Sequence, residues 1–185
     1  MEFRFIFTAV VVLIILFPHI RWFSKRLILK NKIKKLCIRN SYIIHPTHKL
    51  WFLGSKSSKN CDFYIETENQ IFSVKLFGVL RRNSYLVFKE EGGFFIRGLL
   101  ALVSRGWAHV LPFEGKLKQL PVYNFKYKYK NEWDNKSIRE ILLVNPVPMD
   151  FRYQTKHGCE INISAGEFIK GMEINSLSNF LKVLK

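Results

Sequence analysis

The chain has 185 residues, a hydrophobic content of 48% and a net charge of +16. With 17 Phe, 7 Tyr and 4 Trp against 6 Pro and 10 Gly, that composition excludes a disordered chain and suits one domain with a packed core. Three cysteines, Cys37, Cys61 and Cys159, form no CxxC pair and leave an odd thiol, which argues against a disulfide framework and for a reducing compartment.

From Phe5 to Ile20 no residue is charged, and FIFTAVVVLIILF is apolar except for Thr8. As a helix this stretch rises about 24 Å, short of the ~30 Å hydrocarbon core of a bilayer. Snorkelling by Arg4, interfacial placement of Trp22 and Phe23, and local thinning absorb the deficit. A cleaved signal peptide requires a basic start and a small-residue site, and neither MEFR nor FPHIRWF supplies them. A soluble core helix requires a polar face, which Thr8 alone does not make. The expectation is a transmembrane anchor over residues 1–23.

The flanks set its direction. Through Asn60 twelve cations face a single acid, Glu2, which places +11 in the first third of the chain. Arg21, Lys25, Arg26, Lys30, Lys32, Lys34, Lys35 and Arg39 follow the apolar run, whereas only Arg4 precedes it. The positive-inside bias then predicts a single-pass protein of the cell membrane with its C-terminal part cytoplasmic.

Residues 24–39 place Leu29, Ile33, Leu36 and Cys37 on one helical face with lysines on the others, which predicts a basic amphipathic juxtamembrane helix. Its candidate partner is the lipid membrane, with Arg26, Lys30, Lys32, Lys34, Lys35 and Arg39 meeting anionic phospholipid headgroups at about 1 kcal/mol per cation. Nucleic acid is another polyanion that the same charge fits. A helix docked on its own domain, with its lysines merely solvated, also satisfies the pattern.

Residues 40–185 read as one globular α/β domain. HPTH gives His45 and His48 a helical spacing that Pro46 disfavours, so the pair is expected in a loop. DFYIET and IFSVKLFG predict a β-hairpin, and SYLVFK and FFIR, joined by EEGG, extend it into an antiparallel meander. GLLALVSRGWAHVLPF has no clean period and predicts a helix or buried connection ended by Pro112. VYNFKYKYK alternates as a half-buried strand whose aromatic and lysine faces also suit single-stranded nucleic acid. ILLVNP predicts a strand buried on both faces, and MEIN a strand leading to a helix capped by Ser176 that buries Leu177, Phe180, Leu181 and Leu184. The expected fold class is α+β (mixed α/β): an N-terminal transmembrane helix and one small domain with a mixed sheet and flanking helices.

No Gly-rich phosphate loop, GxSxG elbow or HExxH occurs, and no small-molecule cofactor is indicated. Asp62 begins one strand of the hairpin, and Ser73-Val74-Lys75 lies in the next. CDFYIETENQIFSVKLFG resembles the core hairpin of the restriction-endonuclease-like superfamily, above all the nuclease-related domain, in which an Asp-led strand precedes one ending in Glu-x-Lys. The resemblance extends to ILLVNP as the next core strand and to the EINSLSNFLKVL ending. It implies a Mg²⁺-dependent nuclease with Asp62 as metal ligand and Lys75 beside the attacked phosphate. Ser73 stands where that family has its second metal-binding carboxylate, and a neutral hydroxyl is a poor Mg²⁺ ligand. Glu66 shares strand parity with Asp62 and is the substitute ligand, so Asp62, Glu66 and Lys75 form the catalytic candidate set, with Asp62 and Glu66 for metal. Two functions follow: a non-catalytic, membrane-anchored binding module that needs no cofactor, and the alternative nuclease with Mg²⁺.

Overall fold

The computed structural model describes residues 2–54, 61–79, 84–104, 107–119, 133 and 135–185, with side chains described from residue 16 onward except for 99–111 and 119. The strand expected over VYNFKYKYK and the side chains of most of the apolar run lie outside the described residues.

Helix α1 (Glu2–Arg39) is one continuous element of 38 residues, about 57 Å long at 1.5 Å per residue. It passes without interruption from the apolar run into the basic segment, across Pro18. Residues 24–39 contain no Gly or Pro and consist mainly of Leu, Ile, Lys and Arg, which hold a helix well. It stops where Ser41 takes a left-handed conformation (φ 58°) and the Tyr42 N–H donates to the Cys37 carbonyl. Among the described residues no helix is long and apolar enough to cross a membrane.

The remaining elements follow in order: β1 (Ile43–Pro46), a 3₁₀ turn (Trp51–Leu53), β2 (Phe63–Glu66), β3 (Gln70–Phe77), β4 (Ser84–Lys89), β5 (Gly93–Ser104), β6 (Trp107–Glu114), β7 (Lys118–Gln119), β8 (Ser137–Val144), β9 (Asp150–Gln154), β10 (Glu160–Ile163), β11 (Phe168–Ile169), β12 (Met172–Ser176) and α2 (Leu177–Val183). They build two mixed sheets. The first runs β1-β2-β3-β8-β12-β11, and the second β10-β9-β4-β5-β6 with β7 added to β5. In the first, β1, β2 and β3 are antiparallel, whereas β3, β8 and β12 are parallel and end on the same side.

The fold is thus mixed α+β, with two corrections. The four expected strands do not form one meander: β2–β3 belongs to the first sheet and β4–β5 to the second, because β3 is buried on both faces and takes β8 as its other neighbour. The segment after FFIR is not helical either; β5 and β6 pair from Arg97 to Ser104. Pro112 is accommodated because β6 lies at the sheet edge, where a missing N–H leaves no ladder bond broken.

The first sheet is the middle of three layers. Phe63, Ile65, Phe72, Val74, Leu76, Ile141 and Leu143 pack against Leu29, Ile33 and Cys37 of α1, Trp51 and Phe52, and Phe180 and Leu184 of α2. Tyr64, Ile71, Leu142, Val144 and Ile174 on the opposite face meet Leu86, Phe88, Phe94 and Phe151 of the second sheet. Phe63–Ile65 of β2, Ile71–Leu76 of β3, the ILLV half of β8 and Met172–Asn175 of β12 are buried on both faces, so each layer receives apolar side chains from this sheet. Ser176 caps α2 as expected, its Oγ accepting from Asn179 N at 3.3 Å.

Candidate functional site

The end of the first sheet where β3, β8 and β12 finish holds the buried Asp62 and Lys75. Asp62 enters this end just before β2 and is fully buried. Its backbone N–H donates to the Val74 carbonyl at 2.8 Å, which continues the hairpin register and sets Asp62 opposite Lys75. One carboxylate oxygen, Oδ1, lies 3.3 Å from Lys75 Nζ and 3.4 Å from His48 Nε2, and the other accepts from Leu76 N at 2.7 Å. The hairpin therefore brings Asp62 and Lys75 together.

Ser73, two residues before Lys75 on the same strand, is buried beside the Cys61 thiol, with no oxygen or nitrogen partner among the described residues. That thiol is pushed above its ordinary range, chiefly by burial. Glu66 goes elsewhere. Four residues from Asp62, about 13 Å along the strand, its carboxylate meets His45 Nε2 at 2.7 Å and Lys136 Nζ at 2.8 Å. The Lys136 hydrogen bond leads the effects that hold the Glu66 carboxyl below its ordinary value. The structure does not bring Asp62 and Glu66 to one point, and among the described residues no three His, Cys, Asp or Glu side chains cluster as a metal would need.

Three participants escape the sequence reading. His45 lies in β1 and not in a loop, 2.7 Å from Glu66 of β2, whereas His48 lies in the turn after β1 as expected, 3.4 Å from Asp62 just before β2. Arg26, expected on the lipid-facing surface, is only 2% exposed and belongs to the docked seam of α1. Its burial lowers the guanidinium to about pKa 10, partly offset by the attraction of Asp62. Arg26 also lies over the Trp22 ring, 5.2 Å from its centroid. A signal existed, because Arg26 precedes Leu29, Ile33 and Cys37 at helical spacing and so shares their face.

Gly78 closes this corner. A β-carbon there would stand 2.7 Å from the Asn145 carbonyl oxygen, 2.8 Å from Arg26 Nη2 and 2.9 Å from Trp22 Nε1, so the helix seats only over glycine.

The other candidate cations sort by exposure. Lys30 is half-buried, its Nζ 4.5 Å from the Phe52 ring centroid. Lys32, Lys34, Lys35 and Arg39 are exposed, on the side of α1 turned away from the sheet. The apolar seam of residues 24–39 is occupied by the domain itself. The chain matches no family model, no curated protein and no solved structure.

Proposed function

We propose that the protein is a membrane-anchored, non-catalytic binding module that presents a basic helical face to an anionic surface at the cytoplasmic side of the cell membrane. The observation that carries this reading is the exposure of Lys32, Lys34, Lys35 and Arg39 on a helix whose apolar seam is already filled. A cation set held outward by a docked seam has a fixed orientation, so headgroup phosphates meet it without reordering the backbone. The anchor rests on the uncharged stretch from Phe5 to Ile20 and on the unbroken course of α1 from it into the domain. The engagement of both Asp62 oxygens within the protein supports a structural role for that carboxylate.

The test uses the full chain in vesicles of phosphatidylcholine with or without phosphatidylserine. Amine-reactive footprinting should show Lys32, Lys34 and Lys35 protected only with phosphatidylserine, and protection should vanish in about 1 M salt, where the Debye length is near 3 Å. Equal reactivity in both vesicles overturns the anionic-surface reading. One observation favours the alternative of a degenerate restriction-endonuclease-like fold with Mg²⁺-dependent nuclease activity: Lys75 faces Asp62 across the hairpin at 3.3 Å. Mg²⁺-dependent nicking of nucleic acid by the full chain, lost in Asp62→Ala and in Lys75→Ala, would establish it instead.

A further inference from the structure

The end of the domain from which α1 projects carries a second exposed apolar feature. After β8 the chain turns through residues 145–149 beside the helix. Asn145 Nδ2 donates to the Lys25 carbonyl at 3.0 Å, and its backbone N–H donates to the Phe77 carbonyl at 2.7 Å. The Pro146 carbonyl accepts from Val79 N at 3.4 Å, and the Met149 N–H donates to the Ser84 carbonyl at 2.7 Å. Pro148 is buried. The backbone of this loop is tied at both ends, yet Val147 is exposed and Met149 is 80% exposed.

Phe17, Ile20 and Phe23 on α1 are exposed as well, Phe17 by 66%. Phe17 lies eight residues before Lys25, about 12 Å along the helix axis. The loop side chains and the apolar face of the projecting helix therefore emerge from one end of the molecule. Arg21 and the exposed Lys25 lie among them. Apolar tips beside cations match the boundary between acyl chains and anionic headgroups.

We propose that the loop over residues 146–149 is a second lipid-contacting element, which seats Val147 and Met149 in the headgroup boundary beside α1. This rests on the reading of α1 as an anchor and adds to it the surface of the domain that lies against the bilayer. Two features favour lipid over a protein partner: the patch continues the apolar surface of the projecting helix, and two side chains fall far below the ~800 Å² per partner of a stable protein interface. The loop is already held by backbone hydrogen bonds, so insertion orders little that is not ordered beforehand.

The test places single thiols in the full chain on a Cys159→Ser background, at Ile20→Cys, Met149→Cys and Val147→Cys, with the unsubstituted Cys159 chain as the distant control. Cys37 and Cys61 are buried, so labelling of the folded protein with an environment-sensitive fluorophore reaches the exposed thiol. In vesicles of phosphatidylcholine and phosphatidylserine carrying brominated acyl chains, the labels at 20, 147 and 149 should be quenched at least about twofold more than the label at 159, as expected for groups ~5–10 Å into the boundary. Quenching at 20 with 147 and 149 behaving like 159 overturns the loop proposal and leaves the anchor standing. Absence of quenching at all three overturns both. A change at 149 that appears equally without brominated lipid and disappears on dilution into excess lipid assigns the patch to a second copy of the chain, and likewise overturns the proposal.

Discussion

Helix α1 is one element with two unlike halves. From Arg26 to Cys37 it has a seam: Arg26, Leu29, Ile33 and Cys37 are buried on the first sheet while Lys32, Lys34 and Lys35 face outward. From Leu16 to Ile20 every side chain is exposed, and most are apolar. The backbone is the same in both, so the difference lies in what covers the side chains. A helix with an apolar stripe finds its partner within its own domain, as the docked half does, whereas the domain leaves the apolar side chains of Leu16, Phe17 and Ile20 exposed.

The contrast is open to direct attack, most severely at Asp62. It compensates Lys75 directly and Arg26 electrostatically where the docked half begins. Asp62→Ala removes this compensation from the buried cations and should cost about 3–5 kcal/mol in urea unfolding. Asp62→Leu combined with Lys75→Met should recover a large part of that loss; a wild-type midpoint for Asp62→Ala would show the cluster to be energetically idle. Next comes the seam itself. Ile33→Ala in the docked half should cost about 3 kcal/mol, whereas Ile20→Ala in the projecting half should stay within about 0.5 kcal/mol of wild type for the domain's unfolding. Equal effects would erase the distinction between the halves.

Gly78→Ala tests the junction between them. The added methyl meets backbone and two side-chain nitrogens below 3 Å, so a loss of about 1–3 kcal/mol is expected, with increased solvent quenching of Trp22 fluorescence as the helix lifts. The smallest effect concerns the far end of β2. The Glu66 carboxyl is depressed by Lys136, so its contribution is present above its ordinary value of 4.5 and lost as pH falls through the lower folded value. Wild type should exceed Glu66→Gln by at most about 1 kcal/mol at pH 6 and converge with it toward pH 3, as read from urea midpoints. A gap that widens on acidification would contradict the pairing.

Much of the local structure was legible in the residues, and little of its assembly. DFYIET, IFSVKLFG and ILLVNP declared strands by alternation or by short apolar runs, and Ser176 announced α2 by its capping chemistry. Which strands pair was not declared. Ser73 lies opposite Glu140 across a parallel pairing whose partners are far apart in sequence, and nothing local to β3 reveals it. GLLALVSR gave no period, so its strand was missed. At the candidate site, the Asp62–Lys75 pairing followed from the hairpin, whereas Glu66 shared parity with Asp62 without sharing its neighbours. Arg26 was hidden by company, one cation among eight, although its spacing from Leu29 and Ile33 marked it for the interior.

Among the described residues, the buried stretch of the central sheet, Ile71–Leu76 of β3 and Ile141–Val144 of β8, has helices on one side and the second sheet on the other. Molecules arriving from solution therefore meet that stretch at its ends. The rims of that sheet, and not its breadth, are the places where sequence change alters what the protein touches; substitutions across its breadth register instead as changes in how firmly the layers hold.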